Sequence, residues 1–261
     1  MHLGLTLWEA VLIGALQGIL EWLPVSSSGQ VSLLLTSLLG LNPAMSYRLS
    51  VTTHIGTAAS GAILVKDELL DALRLGPWLR VALVPLLAGA PVALAIERVV
   101  TGLSGDIFNL LIAILLVITG LVTARAGRSS HFAWRPATSL STLDLAIIGL
   151  LQGLAALPGL SRSAVTIAGL LLLRVPPDDA VRASILMGAA ATGAMGLYEA
   201  LQAQALPHSL LAAALASSLL AGALSAAAML RIADKYKHEI AVFTIIIAVL
   251  AALSALPAVL P

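Results

Sequence analysis

The sequence predicts an all-α polytopic membrane protein: a single membrane domain over residues 1–261, with six transmembrane helices and two re-entrant helical hairpins in an inverted-topology repeat. The first observation is composition, since 59% of the residues are hydrophobic and only 10% are charged, against about 25% charged residues in soluble domains. The second is a series of long apolar runs, and the third is a repeated residue pattern. The net charge of +1 gives no reason to expect a nucleic acid partner, and the absence of cysteine excludes disulfides and thiolate chemistry.

Six apolar runs are long enough to cross a bilayer, which takes about 20 residues. Four shorter pieces, 5–23, 26–40, 144–157 and 161–174, form two pairs, and a Leu-Pro step containing Pro24 or Pro158 divides each pair. Proline disfavours helix in the residue before it, and short pieces with polar residues at their break are typical of re-entrant hairpins. The predicted spans are 45–65, 81–97, 109–124, 182–200, 210–230 and 240–258.

The distribution of positive charge predicts the topology. Most of the 14 Lys and Arg residues lie in the segments 66–80, 125–135, 174–182 and 231–237. The positive-inside rule assigns these segments to the cytoplasm. The first hairpin is then expected to enter the membrane from outside and the second from the cytoplasm.

An internal repeat relates the two halves of the chain, about 5–124 and 140–258. At an offset of 135, Leu-Gln-Gly at 16–18 matches Leu-Gln-Gly at 151–153; at an offset of 134, Leu-Pro at 23–24 matches Leu-Pro at 157–158. Proline, arginine and serine at 43, 48 and 50 recur at 177, 182 and 184. Each half has an odd number of crossings, so the halves have opposite orientations, and such folds place their site where the broken helices meet.

The two breaks carry "QGILEWLPVSSSGQ" (17–30) and "QGLAALPGLSRSAVT" (152–166). Serines after such a break are good N-caps, and the N-termini of the following helices favour an anion. Arg162 can bind phosphate oxygens in a bidentate manner, and an arginine at the bilayer centre is costly without an anionic partner or a water-filled pocket. The breaks therefore predict a phosphate site. Gly14 and Gly18, with their counterparts Gly149 and Gly153, are expected to be close-packing positions, and Glu199 near a span end is expected to be solvated.

"EWLPVSSSG" and "PGLSRSAVT" resemble the two signature motifs of the undecaprenyl-diphosphate phosphatases, the bacitracin-resistance family. The resemblance extends to length, hydropathy and repeat plan. It implies removal of the terminal phosphate from a polyprenyl diphosphate, which recycles the lipid carrier of cell-wall and surface-glycan assembly. It also implies a plasma (cell inner) membrane protein with its active site facing the extracytoplasmic side, a divalent metal such as Mg²⁺ or Ca²⁺, and a homodimer.

The resemblance assigns roles to particular residues. Glu21 and Gln17 match the family's Glu/Gln-x-x-x-Glu motif, and Gln30 stands where bacterial enzymes usually have histidine, so His54 is a candidate for the missing base. The predicted catalytic residues are Glu21, which is also the predicted metal ligand, Ser27 and Arg162. The predicted substrate-binding residues are Gln17, Ser26, Ser28, Gln30, His54, Ser161, Ser163 and Thr166.

Three alternatives remain open from the sequence. Either Ser27 or a water molecule attacks the phosphate. The inverted repeat is also a transporter architecture, so the chain could flip a polyprenyl phosphate carrier without hydrolysis, or bind such lipids without catalysis. The carrier itself is undecaprenyl in a bacterial source and of the dolichol type in an archaeal one.

Overall fold

A computed structural model describes residues 5–23, 25–103, 107–108, 111–112, 114–115, 134–202 and 207–235. The regular structure in these ranges is entirely helical, as predicted. The helices are α1 (Leu7–Glu21), α2 (Ser27–Leu39), α3 (Pro43–Thr52), α4 (His54–Leu64), α5 (Lys66–Leu73), α6 (Trp78–Val100), α7 (Thr142–Leu154), α8 (Arg162–Leu172), α9 (Pro177–Gln202) and α10 (His208–Lys235), with a 3₁₀ turn at Ala137–Ser139.

The four short apolar pieces fold as two pairs of short helices, α1 with α2 and α7 with α8. The helices α1 and α7 begin with the same device, a reciprocal capping box. Thr6 and Glu9 form it in α1, and Ser141 and Asp144 form it in α7, 135 residues later. Each box satisfies backbone N–H groups that the first helical turn leaves without a partner.

Within the described part of the chain, three helices are long and apolar enough to cross a membrane: Trp78–Val100, Pro177–Gln202 and His208–Arg231. They confirm the predicted spans at 81–97, 182–200 and 210–230. The span predicted at 240–258, and most of the span predicted at 109–124, lie outside the described residues. The segment 45–65 is helical but divided at Thr53 into α3 and α4. At the division, Thr53 Oγ1 donates to the carbonyl of Ser50 at 2.6 Å, and the backbone N–H of Gly56 donates to the carbonyl of Thr53 at 3.1 Å, three residues back instead of four.

Glycines bring helices from the two halves of the chain into backbone contact. Gly14 and Gly18 of α1 face the backbone of α10, while Gly149 and Gly153 of α7 face the backbone of α6 around Pro85 and Gly89. A Cβ atom at any of these four helix positions would collide with main-chain atoms. The predicted close-packing role is therefore confirmed, and these contacts hold the ends of α1 and α7 in place.

Candidate active site

The two helix breaks meet in the folded chain. The backbone N–H of Gly159 donates to Ser26 Oγ at 2.9 Å, and Ser163 Oγ donates to the carbonyl of Leu23 at 2.9 Å. Gly29 lies so close to the backbone of Gly159 that a Cβ would come within 2.7 Å of its nitrogen. Pro24 lies outside the described residues. The predicted juxtaposition of the first and second motifs is thus present in the structure.

A buried ion pair joins the two motifs. Arg162 Nη2 donates to Glu21 Oε1 at 2.7 Å, and the side chains are only 9% and 3% exposed. A short charge-assisted hydrogen bond of this kind compensates two charges that would each be expensive to bury alone. The carboxylate is supplied by the last residue of α1, and the guanidinium by the first residue of α8.

Three further groups hold the Arg162 side chain in position. Its Nη1 donates to the carbonyl of Ser184 at 2.9 Å, and its guanidinium carbon lies 5.1 Å from the ring centroid of Trp22. Gly188 provides the space, because a Cβ there would collide with the guanidinium. Stacking on an aromatic ring suits the planar guanidinium, so the side chain has one defined orientation.

The second oxygen of Glu21 is surrounded by hydrogen-bond partners. Ser27 Oγ donates to Glu21 Oε2 at 2.6 Å, and Gln17 Nε2 lies 3.0 Å from the same oxygen. Gln17 Nε2 also donates to Ser27 Oγ at 2.9 Å, while its Oε1 accepts from Ser50 Oγ at 3.3 Å. The hydroxyl of Ser27 is therefore held against a carboxylate that can accept its proton, which is the geometry of an activated nucleophile.

His54 completes the surroundings of Glu21. Its Nδ1 lies 3.2 Å and 3.0 Å from the carbonyl oxygens of Ser50 and Val51, so the hydrogen on Nδ1 is directed at the main chain. Its Nε2 lies 3.0 Å from Glu21 Oε2 and 3.2 Å from Gln17 Nε2. The candidate base His54 therefore lies within hydrogen-bond distance of the carboxylate.

A cavity opens at this junction. Ser161 caps α8 by accepting from the backbone N–H of Ala164 at 3.3 Å, as expected, and bonds Ser163 at 3.1 Å between the two hydroxyls. Thr166 bonds the Ser184 hydroxyl at 2.7 Å behind the cavity wall. Seven predicted site residues line the cavity: Glu21, Ser26, Ser27, Ser28, His54, Ser161 and Arg162. Gln17, Ser163 and Thr166 bond to lining residues, whereas the half-buried Gln30 is not among the lining residues.

The prediction that a serine side chain caps the N-terminus of α2 is wrong. Ser26 occupies the cap position, but its side chain makes no capping hydrogen bond there and instead accepts from the second hairpin. Its backbone is left-handed, with φ 56° and ψ 82°, a conformation that costs a non-glycine residue about 1–2 kcal/mol. The contact between the hairpins thus takes precedence over local capping.

Sequence reasoning missed several buried polar residues near the site. Gln152, the repeat counterpart of Gln17, lines the cavity, and its buried Oε1 has no hydrogen-bond partner in the described part of the chain. The expectation for Glu199 is wrong, because this residue is fully buried, with Arg48 Nε 4.0 Å from its Oε2. Arg48 also pairs with the buried Glu97 at 3.4 Å. The repeat match of Gln152 to Gln17 was the available signal for Gln152. For Glu199 the signal was a carboxylate within a predicted span, which was outweighed by its position near the span end.

A divalent metal has few candidate protein ligands here. Among the described residues, no group of three or more His, Asp or Glu side chains is arranged to hold a metal ion. Glu21 supplies one carboxylate, and the orphaned Oε1 of Gln152 lines the same cavity. Carboxylate and amide oxygens are ligands that Mg²⁺ and Ca²⁺ prefer, and Mg²⁺ commonly binds through one or two carboxylates plus substrate phosphates. The residues present are therefore compatible with a metal that the substrate helps to bind.

The fold and the site define a class: an all-α, multi-pass membrane protein with a buried carboxylate, arginine and serine at the junction of two broken helices. The family model of the bacitracin resistance protein BacA matches residues 10–253, and the chain belongs to this family. Similar proteins are the undecaprenyl-diphosphatases of Methanopyrus kandleri (35% identical, covering 73% of this chain and 74% of the relative) and Methanothrix thermoacetophila (36% identical, 72% and 74%). That of Haloarcula marismortui is 34% identical over 68% of this chain and 71% of its own length.

Proposed function

We propose that the chain hydrolyses undecaprenyl diphosphate, or a closely related polyprenyl diphosphate, to the monophosphate and inorganic phosphate. The observation that carries this proposal is the contact of Ser27 Oγ with Glu21 at 2.6 Å beside the buried Arg162, in a cavity between two helix N-termini. Membership of the BacA family and the name of the relatives, undecaprenyl-diphosphatase, support the substrate. The product would be the carrier lipid used again in surface-glycan assembly.

The site is suited to a diphosphate electrostatically. The N-termini of α2 and α8 carry partial positive charge, and both contribute lining residues to the cavity. Glu21 supplies one negative charge, against the guanidinium of Arg162. Hydroxyls of Ser26, Ser28 and Ser161 line the same space and can bond phosphate oxygens. Binding of the terminal phosphate is thus assigned to the two motifs together.

We propose that Ser27 attacks the terminal phosphorus, because its hydroxyl is already bonded to a base. The Ser27 Oγ–P bond forms, its proton goes to Glu21, and the bond between the phosphorus and the bridging oxygen breaks, releasing the polyprenyl monophosphate. A water molecule then attacks the phosphoserine and gives one proton to His54, the Ser27 Oγ–P bond breaks, and inorganic phosphate leaves. Glu21 returns to Ser27 Oγ the proton that it took in the first step, and His54 passes its proton to solvent. Arg162 stabilises the charge of the transferring group in both steps.

We further propose that Glu21 and Oε1 of Gln152, which line the same cavity, would hold a divalent cation. Such an ion would neutralise part of the negative charge of the diphosphate. This role would require Glu21 to exchange at least one of its present hydrogen bonds.

The arrangement in the membrane is also a proposal: six spanning helices, two re-entrant hairpins, an inverted repeat over about 5–124 and 140–258, and a homodimer. The matching capping boxes of α1 and α7, 135 residues apart, and the proline that opens both α3 and α9 support the duplication. The distribution of Lys and Arg supports a site facing the extracytoplasmic side of the plasma membrane.

The proposal is tested by phosphate release from undecaprenyl diphosphate with purified protein in detergent. Phosphate release with Mg²⁺ or Ca²⁺, its loss with a chelator and its return on adding metal are expected. No release under any of these conditions would overturn the proposed function, and reconstituted lipid flipping without phosphate release would favour a transporter. Quenched-flow samples should contain phosphoserine at Ser27; a fully active Ser27→Ala variant would assign the attack to water instead.

A further inference from the structure

A second group of charged side chains lies apart from the site, at the C-terminal ends of α6 and α9. Glu199 of α9 is fully buried, and Glu97 of α6 is only 3% exposed. Arg48 of α3 contacts both, with its Nη2 3.4 Å from Glu97 Oε1 and its Nε 4.0 Å from Glu199 Oε2. The side chains of the two glutamates are also close enough to interact directly. We call these three residues the glutamate cluster.

The glutamate cluster is short of positive charge. Two carboxylates share one guanidinium, so one negative charge is left unbalanced when both acids are ionised. The guanidinium is also held loosely, since 4.0 Å from Glu199 is beyond hydrogen-bond distance and the Arg48 side chain is 30% exposed. Both carboxylate oxygens of Glu199 are buried without a hydrogen-bond partner in the described part of the chain. A carboxylate in this position is unfavourable unless a further cation or a proton neutralises it.

The helices that carry the two glutamates add negative potential at the same place. Helices α6 and α9 end at Val100 and Gln202, so Glu97 and Glu199 each lie in a last turn. The C-terminal end of a helix carries partial negative charge, and an acidic side chain there is disfavoured. Two such ends and two carboxylates together favour a positively charged ligand.

The glutamate cluster lies next to the cavity of the site. Ala93 and Met195 line that cavity, and Glu97 and Glu199 follow them by four residues on the same two helices. Side chains four residues apart share one face of a helix, so the cluster is about one helical turn, roughly 5 Å, from the cavity wall. The distribution of Lys and Arg assigns this end of both helices to the extracytoplasmic side, where an ion can arrive from water.

We propose that the glutamate cluster is a second cation site, in which Glu97 and Glu199 together bind a hard divalent cation such as Ca²⁺. Carboxylate oxygens are the ligands that this ion prefers, and water completes its shell of about six to eight oxygens. The guanidinium of Arg48 is partly exposed, so it can turn toward solvent as the ion binds. The bound ion would join α6 to α9 beside the cavity. This site is separate from Glu21 and does not depend on the proposed function.

Ca²⁺ binding to purified protein, followed by isothermal titration calorimetry, tests the proposal. The protein carries Glu21→Gln, which removes the carboxylate of the other proposed metal site, and it should still bind Ca²⁺. Adding Glu199→Gln should raise the Kd by at least about tenfold, because loss of a residue that only supports a metal ligand already costs about that factor. Adding Glu9→Gln instead is the matched control; Glu9 is an exposed glutamate, and its loss should leave the Kd unchanged.

Arg48→Gln should change the affinity in the opposite direction. It removes the positive charge that competes with the ion, so the Kd for Ca²⁺ should fall. Without Ca²⁺ this variant should have a lower Tm than wild type, because two buried carboxylates have lost their guanidinium. Ca²⁺ at about one hundred times its Kd should then raise the Tm by about 5–10 °C. An ion pair with a purely structural role would show the lower Tm without any gain in Ca²⁺ affinity.

The contrary outcomes are distinct. Absence of Ca²⁺ binding in Glu21→Gln would assign all cation binding to the active site and overturn the proposal, as would equal Kd values after Glu199→Gln and Glu9→Gln. A Tm that responds to pH but not to Ca²⁺ would mean that the two carboxyl groups share a proton instead. Should Glu199→Gln fail to fold, Glu97→Gln replaces it with the same expected loss. Because binding is measured without turnover, failure of phosphate release would refute the proposed function alone.

Discussion

Removing the charge of Glu21 should show how strongly the two motifs depend on each other. In Glu21→Gln the side chain keeps its size, but Arg162 loses its carboxylate while remaining only 9% exposed. In Arg162→Met the carboxylate is the charge left behind, 3% exposed. Leaving one member of a buried ion pair without its partner typically costs about 3–5 kcal/mol. For a chain of this size, that corresponds to roughly 6–20 °C in Tm.

The double variant Glu21→Gln/Arg162→Met removes both charges at once, so the loss of Tm should be smaller than the sum of the two single losses. A coupling free energy of at least about 1 kcal/mol is expected for groups in such direct contact. Thermal unfolding of the four proteins in one detergent, followed by intrinsic tryptophan fluorescence and by circular dichroism, measures it. Losses that add to within about 0.5 kcal/mol would refute the reasoning, because they would mean that the two charges are solvated independently.

Further predictions concern single positions around the same site. His54→Ala should lower kcat by about 10²–10⁴, as expected for loss of an acid–base partner, whereas Gln30→His should leave kcat close to wild type because His54 already contacts the carboxylate; steady-state phosphate release checks both. Ser26→Ala keeps the left-handed backbone and loses the bond to the second hairpin, so its unfolding free energy should fall by about 1 kcal/mol, and Ser26→Gly should be the more stable of the two variants because it relieves the strain; equal Tm values would contradict this. Gly188→Ala should abolish activity by displacing the guanidinium, while Gly193→Ala on the same helix, where a Cβ meets only Ala58 Cβ at 3.2 Å, should retain it.

Much of the fold followed from local rules. The apolar runs, the Leu-Pro steps and the residues that cap helices act within a few positions of the chain, so they predicted the short helices and three spans to within a few residues. The division of α3 from α4 was missed because it depends on which carbonyls Thr53 and His54 reach, and periodicity does not show that.

The candidate site was predictable to the extent that it is built from motifs. The meeting of Glu21 with Arg162 followed from the repeat, because two matching breaks in an inverted arrangement face each other. Gly188 and Glu199 could not be predicted in the same way. Gly188 matters because it leaves space for the guanidinium of Arg162, and Glu199 because it lies near Arg48. Both contacts join residues that are distant in the sequence, so no local pattern indicates them.

The central claim is that the buried carboxylate of Glu21 makes this chain a polyprenyl diphosphate phosphatase. Product analysis of undecaprenyl diphosphate turnover tests it most directly, with Glu9→Gln as a matched control, since Glu9 is a glutamate of the same helix in an exposed capping position. Wild type and Glu9→Gln should each form undecaprenyl phosphate and inorganic phosphate in equal amounts, and Glu21→Gln should form neither at a comparable rate. Equal turnover by Glu21→Gln and Glu9→Gln would contradict the account.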